Sequence, residues 1–224
     1  MKLLQKLKTE LIKNKSIFIF DFDGVIVDSM TLKGVCFCNI FKDIKHDCNN
    51  QIIDFHLING SLKREKKIDY IVKKILKFKL GHNTEKYINN KILKFEKEYL
   101  KLSKKLKLIN GLENFLKKIN LNNKKSFIVS AAPFKEIEII CKNNNILKYF
   151  CKIYDNKMSK YSAISKILKT NSILKKNIIY FGDSNSDYLL SKKMNMDFCS
   201  VLTNSKSGLQ EIKDIKFQIY DFII

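Results

Sequence analysis

Apolar and polar positions follow two textures along this chain. Residues 2 to 13 place Leu3, Leu4, Leu7, Leu11 and Ile12 at helical spacing with lysines between them, which predicts an amphipathic helix. Docking on a core is its expected role, and lying on a membrane surface the alternative. The run "IFIFDF" at 17 to 22 is short, apolar and closed by acids and Gly24, which predicts a buried strand. From 31 to 104 the apolar spacing becomes i, i+3, i+4, as in "IDYIVKKILKFKL" and "KYINNKILKFEKEYLKL", with no convincing strand. "NGS" at 59 to 61 interrupts this stretch, with Ser61 placed to cap the next helix.

Beyond "LINGLENFLKKI" short apolar runs and helical patterns alternate. "SFIVSAAP" precedes the helix "KEIEIICKNN", and "KIYD" precedes "KYSAISKILK". "NIIYFGDSNSD" runs into "YLLSKKM", and "FCSVL" is a further strand. Strand and helix in alternation imply right-handed crossovers and a parallel sheet, an α/β sandwich. The organisation predicted is an α/β core of residues 1–30 and 105–224, with an all-α insertion over 31–104.

Composition changes this picture little. A chain of 224 residues with 45% hydrophobic and 11% aromatic content can bury a substantial core. No apolar run is long enough to span a bilayer, and the lysine-studded start does not read as a secretory signal, so the expected location is the cytoplasm. The cysteines Cys36, Cys38, Cys48, Cys141, Cys151 and Cys199 are scattered, as reduced thiols would be. The histidines His46, His56 and His82 lack finger spacing, which sets structural zinc aside. The net charge of +21 invites a nucleic-acid reading. However, the bases are lysines apart from Arg64, are spread along the chain and accompany no nucleic-acid motif. Dedicated nucleic-acid binding is therefore not expected, whereas a basic surface would attract anionic substrates. A monomer is the expected state.

The chemistry gathers where the strands end. In an open parallel sheet, ligands bind outside the carboxyl ends of the strands. The first strand ends in Asp21 and Asp23, the second in Ser130 and Ala131, and a later one in Gly182-Asp183. Two carboxylates one residue apart repel each other, which a sequence serving only to fold would avoid. "DFDGVIVDS", "VSAAP", Lys160 and "GDSNSD" resemble the four signature motifs of the haloacid dehalogenase-like superfamily. The first is most similar to the branch of phosphoglycolate phosphatase and β-phosphoglucomutase.

The resemblance implies a Rossmann-like three-layer core with an inserted helical cap. It implies Mg²⁺ held by Asp21, the backbone carbonyl of Asp23, Asp183 and Asp187, the last directly or through water. Asp21 would attack phosphorus and form an aspartyl-phosphate, with Asp23 as general acid and then base. Ser130 and the Ala131 N–H would bind phosphoryl oxygens, Lys160 would neutralise charge, and Gly24 would allow a tight turn beside the phosphate. Lys157 is a rival for Lys160, and Ser130 could instead cap the helix after it.

Within the superfamily that the chain resembles, aspartate at position 23 implies phosphatase or phosphomutase activity, and the leading expectation is a phosphatase of a small phosphorylated metabolite, such as a sugar phosphate or phosphoglycolate. A phosphomutase is the alternative, and a non-catalytic binding protein on the same fold a third reading. In the insertion, Arg64 is the chain's lone arginine, and its planar fork suits a phosphate or carboxylate. Arg64, with His56 and Lys63, is a candidate for substrate contact; the alternative is that Arg64 pairs with a nearby acid.

Overall fold

The computed structural model describes residues 2–42, 49–60, 62–78, 83–172, 174–203 and 208–224, with backbone alone for 2–7. The side chains of Leu3, Leu4 and Leu7, and residues His46, Cys48, Ser61 and His82, lie outside the described part, as does the proposed capping by Ser61. The chain divides into two compact units, one of residues 1–28 and 106–224 and the other of residues 29–105.

The first unit is built on a parallel sheet. Its strands are β1 (Ile17–Phe20), β2 (Lys125–Val129), β3 (Lys152–Tyr154), β4 (Ile178–Gly182), β5 (Asp197–Val201) and β6 (Phe217–Ile219). They lie in the order β3-β2-β1-β4-β5-β6, all pairs parallel. Five of these strands were predicted. The sixth was not, because three residues inside "DIKFQIYDF" are too few to show a period. The helices are α1 (Lys2–Asn14), α6 (Leu112–Leu121), α7 (Phe134–Asn143), α8 (Lys160–Asn171) and α9 (Asn185–Met194), counting those of the second unit as α2 to α5.

The two faces of the sheet bury different side chains because successive residues of a strand point to opposite sides. Phe18, Phe20 and Phe181 meet Phe115 of α6 and Phe222, with Phe20 and Phe181 stacked at 4.8 Å. On the other face Ile17, Ile19, Ile178 and Tyr180 pack with Ala163, Ile164 and Ile167 of α8 and Phe198 of β5. Each fully buried side chain of this kind contributes about 2 kcal/mol. This packing fixes β1 and β4 as central neighbours, with Phe20 opposite Phe181.

The second unit is helical among its described residues: α2 (Met30–Asn39), α3 (Asn49–Ile58), α4 (Arg64–Tyr70) and α5 (Thr84–Leu102). The stretch expected to be one helix from Ile68 passes instead from α4 into a π-helical turn, Ile71–Ile75. Phe37, Ile52, Ile68, Val72, Phe95 and Tyr99 form its interior. No described helix in the chain is long and apolar enough to cross a membrane.

Candidate active site

β1 lies between β2 and β4, so crossovers leave it in opposite directions and open a crevice beyond its carboxyl end. Asp21 follows β1 there, with its N–H donating to the Phe181 carbonyl at 2.9 Å. Asp183 follows β4, and Asp187 stands in the first turn of α9. Oxygens of Asp21, Asp183 and Asp187, all buried, lie within 4.8 Å of one another. Asp23 is outside this cluster and half-buried.

Two glycines make the crowding possible. Gly24 has φ +76°, and a Cβ there would stand 2.1 Å from Asp183 Oδ2. Only a residue without a side chain satisfies both demands. The Gly24 carbonyl accepts a 2.6 Å hydrogen bond from Thr203 Oγ1, which ties this loop down. At Gly182 a Cβ would meet Asp187 Cβ at 2.5 Å.

Lys160 opens α8 after the N-cap Ser159, whose side chain accepts from the Ser162 N–H. Its ammonium bridges Asp21 Oδ2 at 2.9 Å and Asp187 Oδ1 at 2.7 Å. The rival Lys157 is exposed, with its backbone N–H donating to Asp155 at 3.3 Å. Ser130 is buried, and its hydroxyl oxygen accepts the Ala132 N–H at 3.0 Å. That bond closes the loop after β2; it does not cap α7, whose N-cap is Pro133. Ala131 beside Ser130 is exposed.

Electrostatically the cluster carries more negative charge than Lys160 balances. Burial pushes Asp21 up to about 7, opposed by Lys160 and reinforced by Asp187 and Asp23. Burial also raises Asp183 well above the usual carboxylate range, with the charges of Asp21 and Asp187 adding to it. For Asp187, burial is outweighed by Lys160 and by hydrogen bonds from Lys160, Ser184 and Tyr180, so it is held low. Lys160 is desolvated, yet Asp187 and Asp21 keep it well above the ordinary lysine value. Two buried carboxylates with excess negative charge and oxygen-only donors suit a hard divalent cation. On this chemistry Asp21 and Asp183 fit the expected Mg²⁺. Asp187 is already committed to Lys160, Tyr180 (2.5 Å) and Ser184 (2.6 Å).

Sequence reasoning missed Tyr180, Ser184 and Thr203. Ser184 sits inside "GDSNSD" and caps α9, a pattern the sequence carries. Tyr180 reads as one more core residue of an apolar strand.

The insertion residues fare differently. His56 is 1% exposed, with Nε2 3.1 Å from the Met30 carbonyl and Nδ1 2.9 Å from Lys67 Nζ. This corrects its reading as a substrate residue: its ring nitrogens are engaged inside the helical unit. Arg64 pairs with Glu96 at 3.3 Å and lies over the Phe95 ring at 4.5 Å, its side chain 11% exposed. Of the two readings of Arg64, pairing with an acid describes this geometry. Lys63 is exposed at the start of α4.

A six-stranded parallel sheet with a carboxylate–lysine cluster at its switch point defines an α/β protein whose chemistry sits at the strand ends. The chain belongs to the haloacid dehalogenase-like hydrolase family, whose model matches residues 18–201. No curated protein matches the sequence. Solved structures share the fold. A predicted phosphoglycolate phosphatase from Haemophilus somnus 129PT is 14% identical, with 94% of this chain and 96% of that one covered and a TM-score of 0.77. β-Phosphoglucomutase from Clostridium difficile is 18% identical over 93% and 92%, TM-score 0.73. A CbbY variant from Rhodobacter sphaeroides in complex with xylulose-1,5-bisphosphate is 11% identical over 93% and 95%, TM-score 0.75. The branch anticipated from "DFDGVIVDS" is the one to which the first two belong by name.

Proposed function

We propose that the chain is a Mg²⁺-dependent phosphatase that hydrolyses a small phosphorylated metabolite through a phosphoryl group carried on Asp21. One observation carries this reading: the Lys160 ammonium lies 2.9 Å from Asp21 Oδ2, within a cluster that also holds Asp183. A carboxylate beside a fixed cation is placed to attack a phosphate dianion, which would otherwise repel it. When bound, the metal would supply further positive charge to the attacking carboxylate and the phosphoryl oxygens.

The chain's own groups divide the remaining work. Asp21 attacks phosphorus with one oxygen. Asp23 gives a proton to the leaving alkoxide and then takes one from the water that hydrolyses the acyl-phosphate. The Ser130 hydroxyl and the Ala131 N–H donate to phosphoryl oxygens, and Lys160 balances charge in both steps. Gly24 lets the backbone pass close to Asp183. Selection of the leaving group falls to the helical unit, as a cap, where the exposed Lys63 is available to an anion.

A panel of sugar phosphates and phosphoglycolate, assayed with Mg²⁺ for both released phosphate and isomerised sugar phosphate, tests this reading. Phosphate release by the wild-type protein and none by Asp21→Asn is the expected result. Isomerisation without release would make it a phosphomutase, a name that one structural neighbour bears. No turnover of any ester would overturn the reading.

A further inference from the structure

We propose that Tyr180 is a positioning residue for the phosphoryl transfer: its hydroxyl holds the carboxylate of Asp187 so that Lys160 is fixed against Asp21. This rests on the reading of Asp21 as the nucleophile.

Tyr180 lies in "IIYFG", a strand in which every other side chain is apolar or absent. It is 0% exposed and faces the layer formed by Ile17, Ile19, Ala163 and Ile164. On this face of β1 and β4 the other side chains are the isoleucines Ile17, Ile19 and Ile178, so Tyr180 brings the one hydroxyl of these two strands into the layer. A hydroxyl in such a layer costs free energy unless it is hydrogen-bonded. Tyr180 OH meets that condition with one bond, 2.5 Å to Asp187 Oδ1.

That oxygen is the one that holds Lys160. Asp187 Oδ1 accepts from Lys160 Nζ at 2.7 Å and from Tyr180 OH, while Oδ2 accepts from Ser184 Oγ at 2.6 Å. Without Tyr180, Ser184 would anchor Oδ2 and Oδ1 would be held only by Lys160, a long side chain whose own place depends on that oxygen. Tyr180 anchors Oδ1 from a different element, β4, so the carboxylate plane is set by two donors, Ser184 and Tyr180, that do not depend on Lys160. With the plane set, the direction in which Oδ1 draws Lys160 is set too. The other end of the Lys160 bridge is Asp21 Oδ2. Tyr180 thus acts on the nucleophile through two intervening side chains. It supports the placement of charge, on which phosphoryl transfer mainly depends.

Tyr180→Phe removes the oxygen and keeps the ring, so the packing layer is retained. The lysine Nζ–H correlations of ¹⁵N-labelled protein supply a readout independent of turnover. A held, desolvated ammonium gives a resolved signal, assigned by its loss in Lys160→Met. We expect that signal to broaden or vanish in Tyr180→Phe. We expect kcat to fall about tenfold or more, with KM and the Mg²⁺ half-saturation within about twofold. A Lys160 signal that is absent from the wild type or unchanged in Tyr180→Phe overturns the proposal, as does an unchanged kcat. Wild-type protein that turns over no ester would overturn the phosphatase reading instead, and the NMR comparison would still decide the Tyr180 link.

Discussion

Asp21 and Asp23 sit one residue apart, yet the structure treats them unequally. Asp21 is buried beside Asp183 and Lys160, and Asp23 is only half-buried. Burial raises Asp21 to about 7 against an ordinary value of 3.8. A raised carboxylate favours the folded state when protonated. That contribution is full below the ordinary value and is lost as pH rises through about 7. A cation held by Asp21 and Asp183 would replace the missing protons and release those still bound. Added Mg²⁺ should therefore raise Tm clearly at about pH 8 and much less at about pH 5. Thermal melts at the two pH values check this, and equal shifts would count against Asp21 and Asp183 as ligands.

At the same scale Asp21, Ser130 and Asp183 were legible as polar residues that end apolar strands, whereas Lys160 and Asp187 were legible through the family motifs that they resemble. It hid Tyr180, whose ring satisfies the strand pattern and whose hydroxyl matters only once α9 is folded against β4.

Elements set which polar residues face inward. In the helical unit, Ile58 and Tyr70 are exposed whereas His56 and Lys67 are buried. His56 joins three helices, contacting Met30 of α2 and Lys67 of α4 from its own place on α3. Lys67 Nζ also donates to the Gly60 carbonyl at 3.1 Å. His56→Ala would deprive this buried ammonium of its imidazole acceptor and should lower stability by about 2 kcal/mol, read from the midpoint of denaturant unfolding. An unmoved midpoint would mean that the contact does not stabilise the unit. None of this was legible from the sequence. Polar residues on short helices read as solvent-facing, and the apolar spacing through 68–80 gave no sign of the π-helical turn. The alternating strands and helices after residue 105 were legible because each βαβ unit repeats a change of period from 2 to 3.6.

For the whole molecule, a charge of +21 is spread over lysines, several of which are buried and paired: Lys8 with Asp221 at 2.6 Å, Lys15 with Asp197, and Lys67 and Lys91 within the helical unit. Part of the excess thus serves the fold, and the rest is available to attract anionic substrates. The sheet order, the carboxylate cluster and the family together narrow the chemistry to the strand ends around Asp21. Substrate identity was not legible, because no motif in the sequence specifies the leaving group of a phosphate ester. The most direct test of the account is to trap the covalent step. With an aryl phosphate, whose phenolate leaves without a proton, Asp23→Asn should still form the acyl-phosphate but slow its breakdown, so that acid quenching during turnover leaves a phosphoryl group on the peptide that contains Asp21, found by mass spectrometry. Phosphate on Asp21 is the result predicted here, and ester turnover with Asp21 unmodified would contradict it.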